Sequence, residues 1–550
     1  MKKNISFFTF LIFIISGCIN QSRTIDQCVV CKESLKNYTE KFNENDNEIY
    51  IQDFNNKKAY EFLSKNIPLI SLPNKDIEET YYFRWWTFRK HIKNTEDGYV
   101  ITEFLPEVYW SKKHNTINCP AAHHIYEGRW LRDETYIQDY INFWLEHSED
   151  GIRQYSFWVA DAVLAFQNIH KDESILSNQL LPLIDNYKKW EETRKDPGKD
   201  LFFQWDVADG MEFTASGQIL NNGNDIFGIP AVRPTINSYM YGDAHAISKI
   251  AKIAGDSLIS SKYYAKAQKI KYEVQDKLWN ENLNFFTVLP RNYDSNSSPL
   301  NVRELIGYVP WYFNLPDDLN KYEGAWEKLK DTLGFSAPYG LTVTEQSHPY
   351  FKISYEGHEC QWNGPSWPYA STQTLKALSN FLNNYSNNNV ITKSDYFKLL
   401  NQYAKSHQIK DENGNYKNWI DENLNPFTGD WISRTRLKNW DNKGWSIERG
   451  GVERGKDYNH SGFCDLVISD LLGIKPDYNN YIEINPLIPD DWDWFAIEKI
   501  KYQDKLISVI WDRTGKKFNV GKGLLLIVDN KIVDRRKKIE KIIYKFEHEK

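Results

Sequence analysis

The segment WDVADGMEFTASG, Trp205–Gly217, sets three carboxylates, Asp206, Asp209 and Glu212, among aromatic, small and hydroxyl side chains with no basic residue in the run. Hydrolysis of a glycosidic bond needs two carboxyls, one protonated to assist the leaving oxygen and one ionised to activate water or attack carbon. Apolar surroundings hold a carboxyl protonated. Met211 and Phe213 flank Glu212 directly, so Glu212 is the candidate acid, with Asp206 and Asp209 supporting the loop and Asp209 also within reach of substrate. Glu448 and Glu453 are candidate bases, because Arg449 and Arg454 beside them are cations that suit an ionised carboxylate. His123 and His124 are adjacent, a placing that points two ligands apart, and no third ligand follows at metal-site spacing. They are expected to bond sugar hydroxyls; neither a metal nor an organic cofactor is expected.

Composition supports the same chemistry. Aromatic residues make up 15% of the 550-residue chain, including 20 Trp and 34 Tyr, and flat rings with a polar edge suit sugar faces. The net charge of −6 is spread along the chain without a basic stripe, which argues against a nucleic-acid partner. Arg84, Trp86 and Arg89 are a conceivable clamp for a uronate or sulfate, although arginines near aromatics are more commonly structural.

These residues need elements to position them. Residues 1–18 read as a targeting segment: Lys2 and Lys3 precede an apolar run, Ile5–Ile15, and Ile15-Ser16-Gly17-Cys18 resembles a bacterial lipobox whose cysteine becomes lipidated. The expectation is a protein anchored by Cys18 in the bacterial envelope, periplasmic or surface-facing, and touching the membrane only through that lipid. Residues 19–50 read as a polar tether, with a local Cys28–Cys31 disulfide. Over 51–475 the periodicities are helical: Ile137, Tyr140, Ile141, Trp144 and Leu145; Met240, Ala244, Ile247, Ala251 and Ala254, closed by Gly255; Leu375, Leu378 and Leu382; and Tyr396, Leu399, Leu400 and Tyr403. Long polar loops over 205–235 and 405–460 separate them, and such loops commonly carry function. From 476 to 550 the pattern turns to short β-branched runs between glycine and Asp-Asn turns, a small β-sandwich bracing the helices.

Several segments, spread over roughly 200–475, resemble trehalases, glycoside hydrolase family 37, and the related family 63. VADGMEFTASG is similar to the segment that carries the family's general acid, an Asp whose position Glu212 takes. Arg233–Asp256 with Lys277–Phe286 resembles the run in which a Leu-Asn pair opens a helix; here the pair is Ile236-Asn237. YGLTVTEQ and CQWNGPSWPYAS, the latter bearing Trp362, Asn363 and Trp367, resemble a sugar-lining segment, and DENLNPFTGDW resembles the one carrying the general base, which lands on Glu422, with Leu424 in place of a tyrosine. VERGKDYNHSGFCDLV echoes a downstream family run. The resemblance implies an (α/α)6 toroid, mainly α, acting with inversion through Glu212 and Glu422 and binding substrate through Trp205, Asp209, Asn237, Trp362, Asn363 and Trp367. Trehalose is not implied, because Tyr81–Ile92 and Cys119–Asp133 depart from trehalase patterns and look closer to barrel glycosidases of polysaccharide-degrading bacteria. In the second of these, His124, Glu127, Arg129 and Trp130 are further candidates for an oligo- or polysaccharide substrate. Two rival readings use the same residues: a glycan-binding lipoprotein, and a polysaccharide lyase drawing its base and uronate contact from His123, His124 and Arg129.

Overall fold

The computed structural model describes residues 29–547 apart from 224–226, 357–359, 412, 440–448 and 452. Helical segments alternate between an outer and an inner ring. The outer ones are Lys75–Lys90, Thr135–Asn142, Glu173–Arg194, Ser257–Lys277, Asn320–Leu329 and Lys393–Lys405. The inner ones are Ala121–Gly128, Val159–His170, Pro234–Ile253, Val309–Tyr312, Pro368–Asn384 and the turn of helix Leu466–Leu471. Each inner segment packs on the next, and Lys75–Lys90 packs on Lys393–Lys405, which brings the ends of the outer ring together. This is the (α/α)6 toroid. The expected periodicities lie on these helices, except that Trp144 and Leu145 fall in the following turn, Phe143–His147, and Ala254 caps Pro234–Ile253, where Gly255 takes the left-handed conformation, φ +80°.

The inner ring is closed by charge. Glu127 accepts the backbone N–H groups of Phe463, Cys464 and Asp465 at 3.1, 2.8 and 2.8 Å, where the last inner helix begins. A carboxylate at a helix start satisfies donors that have no intrahelical partner. Beside it, Arg129 and the Trp130 indole N–H both donate to Asp465, at 2.7 and 2.8 Å.

Two antiparallel sheets follow. Strands Trp494–Tyr502, Lys505–Asp512, Gly523–Val528 and Lys531–Arg536 form one, completed at its edge by Leu69–Ser71 from the other end of the chain. Ile474–Asp477, Tyr481–Ile484 and Ile542–Lys545 form the other. Tyr502 joins the sheets by donating to the Asp477 and Tyr481 carbonyls at 2.7 and 3.3 Å. The Gln503 N–H donates to the Ile169 carbonyl at 2.6 Å, bracing the sheets against the toroid.

From Val29 onward the segment expected as tether is folded. Lys32–Glu44 is a helix that buries Leu35, Thr39 and Phe42, one face at i, i+4 and i+7. Just after it, Asp46 pairs with Lys90 at 2.9 Å and Lys456 at 2.6 Å, and Lys90 pairs in turn with Asp457. Burial opposes ionisation of Asp46, but the two ammonium groups and Asn56 outweigh it and hold the carboxyl well below the usual range. Cys18 and Cys28, with the lipid anchor and disulfide expected of them, lie outside the described residues.

Candidate active site

A cavity of about 330 Å³ opens among the long loops, and Glu103, Glu212 and Glu422 all line it. Glu212 follows a short helical turn, Val207–Asp209, and a left-handed Gly210, φ +73°, at which a Cβ would lie 2.5 Å from Cys119 Sγ. The next residue, Phe213, also has positive φ, +55°, an uncommon conformation for a bulky side chain and one that clusters at functional sites. The Glu212 carbonyl accepts the Trp362 N–H at 3.0 Å, fastening this turn to the CQWNGPSWPYAS segment.

Glu422 accepts from Arg454 Nη2 at 2.8 Å and from the Cys360 thiol at 3.7 Å. Its backbone N–H donates to Asp421 Oδ1 at 2.8 Å, and Ser433 donates to the same oxygen at 3.2 Å. The Arg454 guanidinium lies over the rings of Phe104 and Trp110, centroids 5.3 and 5.1 Å away. The cavity therefore holds one carboxylate fixed against a cation and another, Glu212, on a tight turn. Burial pushes the Tyr155 phenol well up, with the Glu212 and Glu103 charges adding to it. For the Tyr458 phenol the cause is again burial first, then Glu103 and Glu422. Tyr155 and Tyr458 thus sit among all three carboxylates as neutral hydroxyls.

Asp206 and Asp209 go elsewhere. Arg233, fully buried, donates to Asp206 Oδ1 and Asp209 Oδ2, both at 2.8 Å, and the Thr214 and Thr235 hydroxyls donate to the same two side chains. Burial pushes the Asp206 carboxyl up against the pull of Arg233. The basic residue absent from the local sequence is supplied from the start of an inner helix. Asp206 also requires Gly217, where a Cβ would lie 2.0 Å from Asp206 Oδ2.

Of the expected substrate contacts, Trp367 lines the cavity. Trp362 stacks behind it with centroids 4.2 Å apart, and Asn363 donates to the Tyr350 carbonyl at 3.2 Å. The remaining candidates stand outside the cavity for reasons of packing. Asp209 is consumed by Arg233. Trp205 packs edge-on against Phe203 and under Arg194. Asn237 clamps backbone, accepting from the Phe202 N–H at 2.8 Å and donating to the Phe202 and Arg233 carbonyls at 2.9 and 2.8 Å. Glu127, Arg129 and Trp130 close the inner ring. His124 bonds the Asn459 carbonyl at 2.6 Å and the Tyr140 hydroxyl at 3.1 Å, and burial holds its imidazole neutral. His123 is wedged between Trp158 and Tyr369 and pushed down to about 3 by burial.

Arg84 and Arg89 are structural: Arg84 donates to the Ser461 carbonyl at 2.8 Å and Arg89 to Asn56 Oδ1 at 2.5 Å. Glu453 pairs with Arg434, while Arg454 serves Glu422; Glu448 lies outside the described residues. One group of described residues is close enough to share a cation, Glu96, Asp97 and His114, but none of them lines the cavity and Lys113 already pairs with Asp97. Glu103, Tyr458 and His460 line the cavity without having been marked by sequence.

The profile of the mannosylglycerate hydrolase MGH1-like glycoside hydrolase domain matches residues 113–461, a span that contains Glu212, Glu422 and Arg454. The chain belongs to this glycoside hydrolase family. Residues 476–534 match the C-terminal domain of glycosyl hydrolase family 65. A solved structure named a sialidase is 39% identical with a TM-score of 0.83, covering 93% of this chain and 44% of that one. The GH78 family rhamnosidase of Bacillus sp. GL1, 11% identical with a TM-score of 0.55 over 84% of this chain and 41% of its own, shares the fold. An uncharacterized protein of Borreliella burgdorferi is 25% identical over 209 residues, 36% of this chain and 38% of its own. These matches thus cover less than half the length of each relative.

Proposed function

We propose that this glycoside hydrolase cleaves an oligo- or polysaccharide by direct displacement, with Glu212 protonating the glycosidic oxygen and Glu422 activating water. The observation that carries this reading is that both side chains line one cavity, in settings that suit opposite roles. Glu422, charge-paired to Arg454, is the ionised partner, since a guanidinium strengthens a hydrogen bond to a carboxylate rather than to an acid. Glu212 lines the cavity together with the neutral Tyr155 phenol, which feels its charge, and with Phe227 and Trp367, apolar and aromatic surroundings of the kind that favour a protonated carboxyl. A wider groove, about 520 Å³, is lined by one carboxylate among the described residues, Asp196, already tied to Arg291.

The lyase reading loses its residues, because His123, His124 and Arg129 are buried in packing away from the cavity. The relatives' names point to different sugars: a sialidase would take an acidic glycone, a rhamnosidase or mannosylglycerate hydrolase a neutral one. A panel of aryl glycosides covering both classes separates them. Proton NMR of the earliest product tests the mechanism, with inversion at the anomeric carbon expected; retention, or a glycosyl adduct on Glu422, would overturn it. We also propose export and anchoring through Cys18, supported by the lipobox-like run. Cys18→Ala is expected to release the protein from membranes, and persistence with membranes after a salt wash would contradict the anchor.

A further inference from the structure

Glu103 and His460 line the cavity with side chains that are almost wholly enclosed, the residues being 3% and 6% exposed. They are locked to each other. Glu103 Oε1 accepts from the Tyr458 hydroxyl at 2.9 Å and lies 2.9 Å from His460 Nδ1, and Tyr458 also bonds that nitrogen. The remaining polar atoms, Glu103 Oε2 and His460 Nε2, are buried with no hydrogen-bond partner among the described residues. A buried polar atom left unpaired costs about 1–3 kcal/mol, so two of them in one rigid cluster on a cavity wall mark a place whose partners arrive with a ligand.

The loop that carries the cluster is fixed from behind. Asp457 has positive φ, +60°; its carboxylate meets Lys90 and its carbonyl accepts from His91 Nε2 at 2.7 Å. The cluster therefore presents a preset pattern: a carboxylate oxygen that accepts, next to a ring nitrogen that accepts in the neutral imidazole and donates in the imidazolium. Two adjacent sugar hydroxyls match that pattern. A sugar carboxylate does not, since it would set like charges together. Phe104, which packs against Tyr458, and Trp110 beside it also line the cavity and supply apolar surface for the ring face.

We propose that Glu103 and His460, held by Tyr458, form a hydroxyl clamp that selects an uncharged pyranose with two adjacent free hydroxyls as the glycone. The clamp rests on reading the cavity as the sugar site, but not on which carboxylate donates the proton.

The test uses the intact chain and a panel of 4-nitrophenyl glycosides of neutral hexoses and 6-deoxyhexoses, with 4-nitrophenyl glucuronides and a 4-methylumbelliferyl sialoside as the acidic set. Turnover of neutral glycosides is expected. For the best of them, removing either of two adjacent hydroxyls should lower kcat/KM by about 10- to 100-fold, the scale of a hydrogen bond to a charged group. Glu103→Gln should shrink the loss at one of these positions to within a few fold. A wild-type series that is flat across the deoxy analogues overturns the clamp without any variant having to fold. Turnover confined to the acidic set overturns it too, as does a Glu103→Gln enzyme with undiminished deoxy discrimination. None of these outcomes touches the assignment of Glu212 and Glu422, whose failure would show instead as near-normal activity of Glu212→Gln and Glu422→Gln.

Discussion

Asp206 and Asp209 lie within six residues of Glu212, yet they belong to a different part of the molecule. The two aspartates form a knot around Arg233, sealed by the Thr214 and Thr235 hydroxyls. Glu212, after one tight turn, stands on the cavity wall with Glu422 and Glu103. The carboxylates of one loop are thus divided: Asp206 and Asp209 are met by a buried arginine, whereas Glu212 lines the cavity. What separates them is the turn through Gly210 and Phe213 rather than the residue types around them.

If this division is right, the largest effect should follow loss of the base. Glu422→Gln is expected to lower kcat by about 10²- to 10⁴-fold, whatever the leaving group, because it slows attack by water in every case. Steady-state kinetics on a good and a poor leaving group check this, and a loss confined to the poor one would reverse the assigned roles.

The knot should respond in stability. Arg233→Met leaves two buried carboxylates uncompensated and is expected to cost about 3–5 kcal/mol, read from the denaturant midpoint. An unchanged midpoint would mean that the knot is not what holds the loop.

A smaller effect is expected at Asp46. Asp46→Asn should cost about 1–3 kcal/mol at neutral pH, since Lys90 keeps Asp457 and Lys456 keeps Asn47. The folded carboxyl titrates below its ordinary value, so its contribution is present above about pH 4 and is lost as pH falls through the folded value. Unfolding curves from pH 7 to pH 3 should show the gap between variant and wild type narrowing; a gap that widens with acid would contradict the ion network.

The smallest change is expected at the rim. Tyr109 and Phe227 line the cavity but are 74% and 59% exposed, so Tyr109→Ala should raise KM by about 2- to 10-fold with kcat nearly unchanged. A loss in kcat alone would place Tyr109 in the chemistry instead.

The toroid was legible because helical periodicity repeats over long stretches, and the presence of Glu212 and Glu422 at one cavity because each sits in a local pattern that resembles known glycosidases. Contacts across the chain left no such mark. Tyr458 meets Glu103 across 355 positions, Phe463 meets Glu127 across 336, and Lys456 meets Asp46 across 410. Local reading therefore missed the Glu103–Tyr458–His460 cluster. Glu127, Arg129 and Trp130, expected as sugar ligands, instead use their charges and donors to close the ring. The helix Lys32–Glu44 was hidden by its composition, since few apolar residues suffice to seat a short helix on a large body.

The assignment of Glu212 as proton donor is tested most directly by the leaving-group dependence of Glu212→Gln. Hydrolysis of glycosides with poor leaving groups is expected to fall by about 10²- to 10⁴-fold, while activated aryl glycosides, which barely need protonation, lose much less. Equal losses on both would contradict Glu212 as the acid, and the same graded pattern in Asp209→Asn, with Glu212→Gln near wild type, would move the proton donor into the knot.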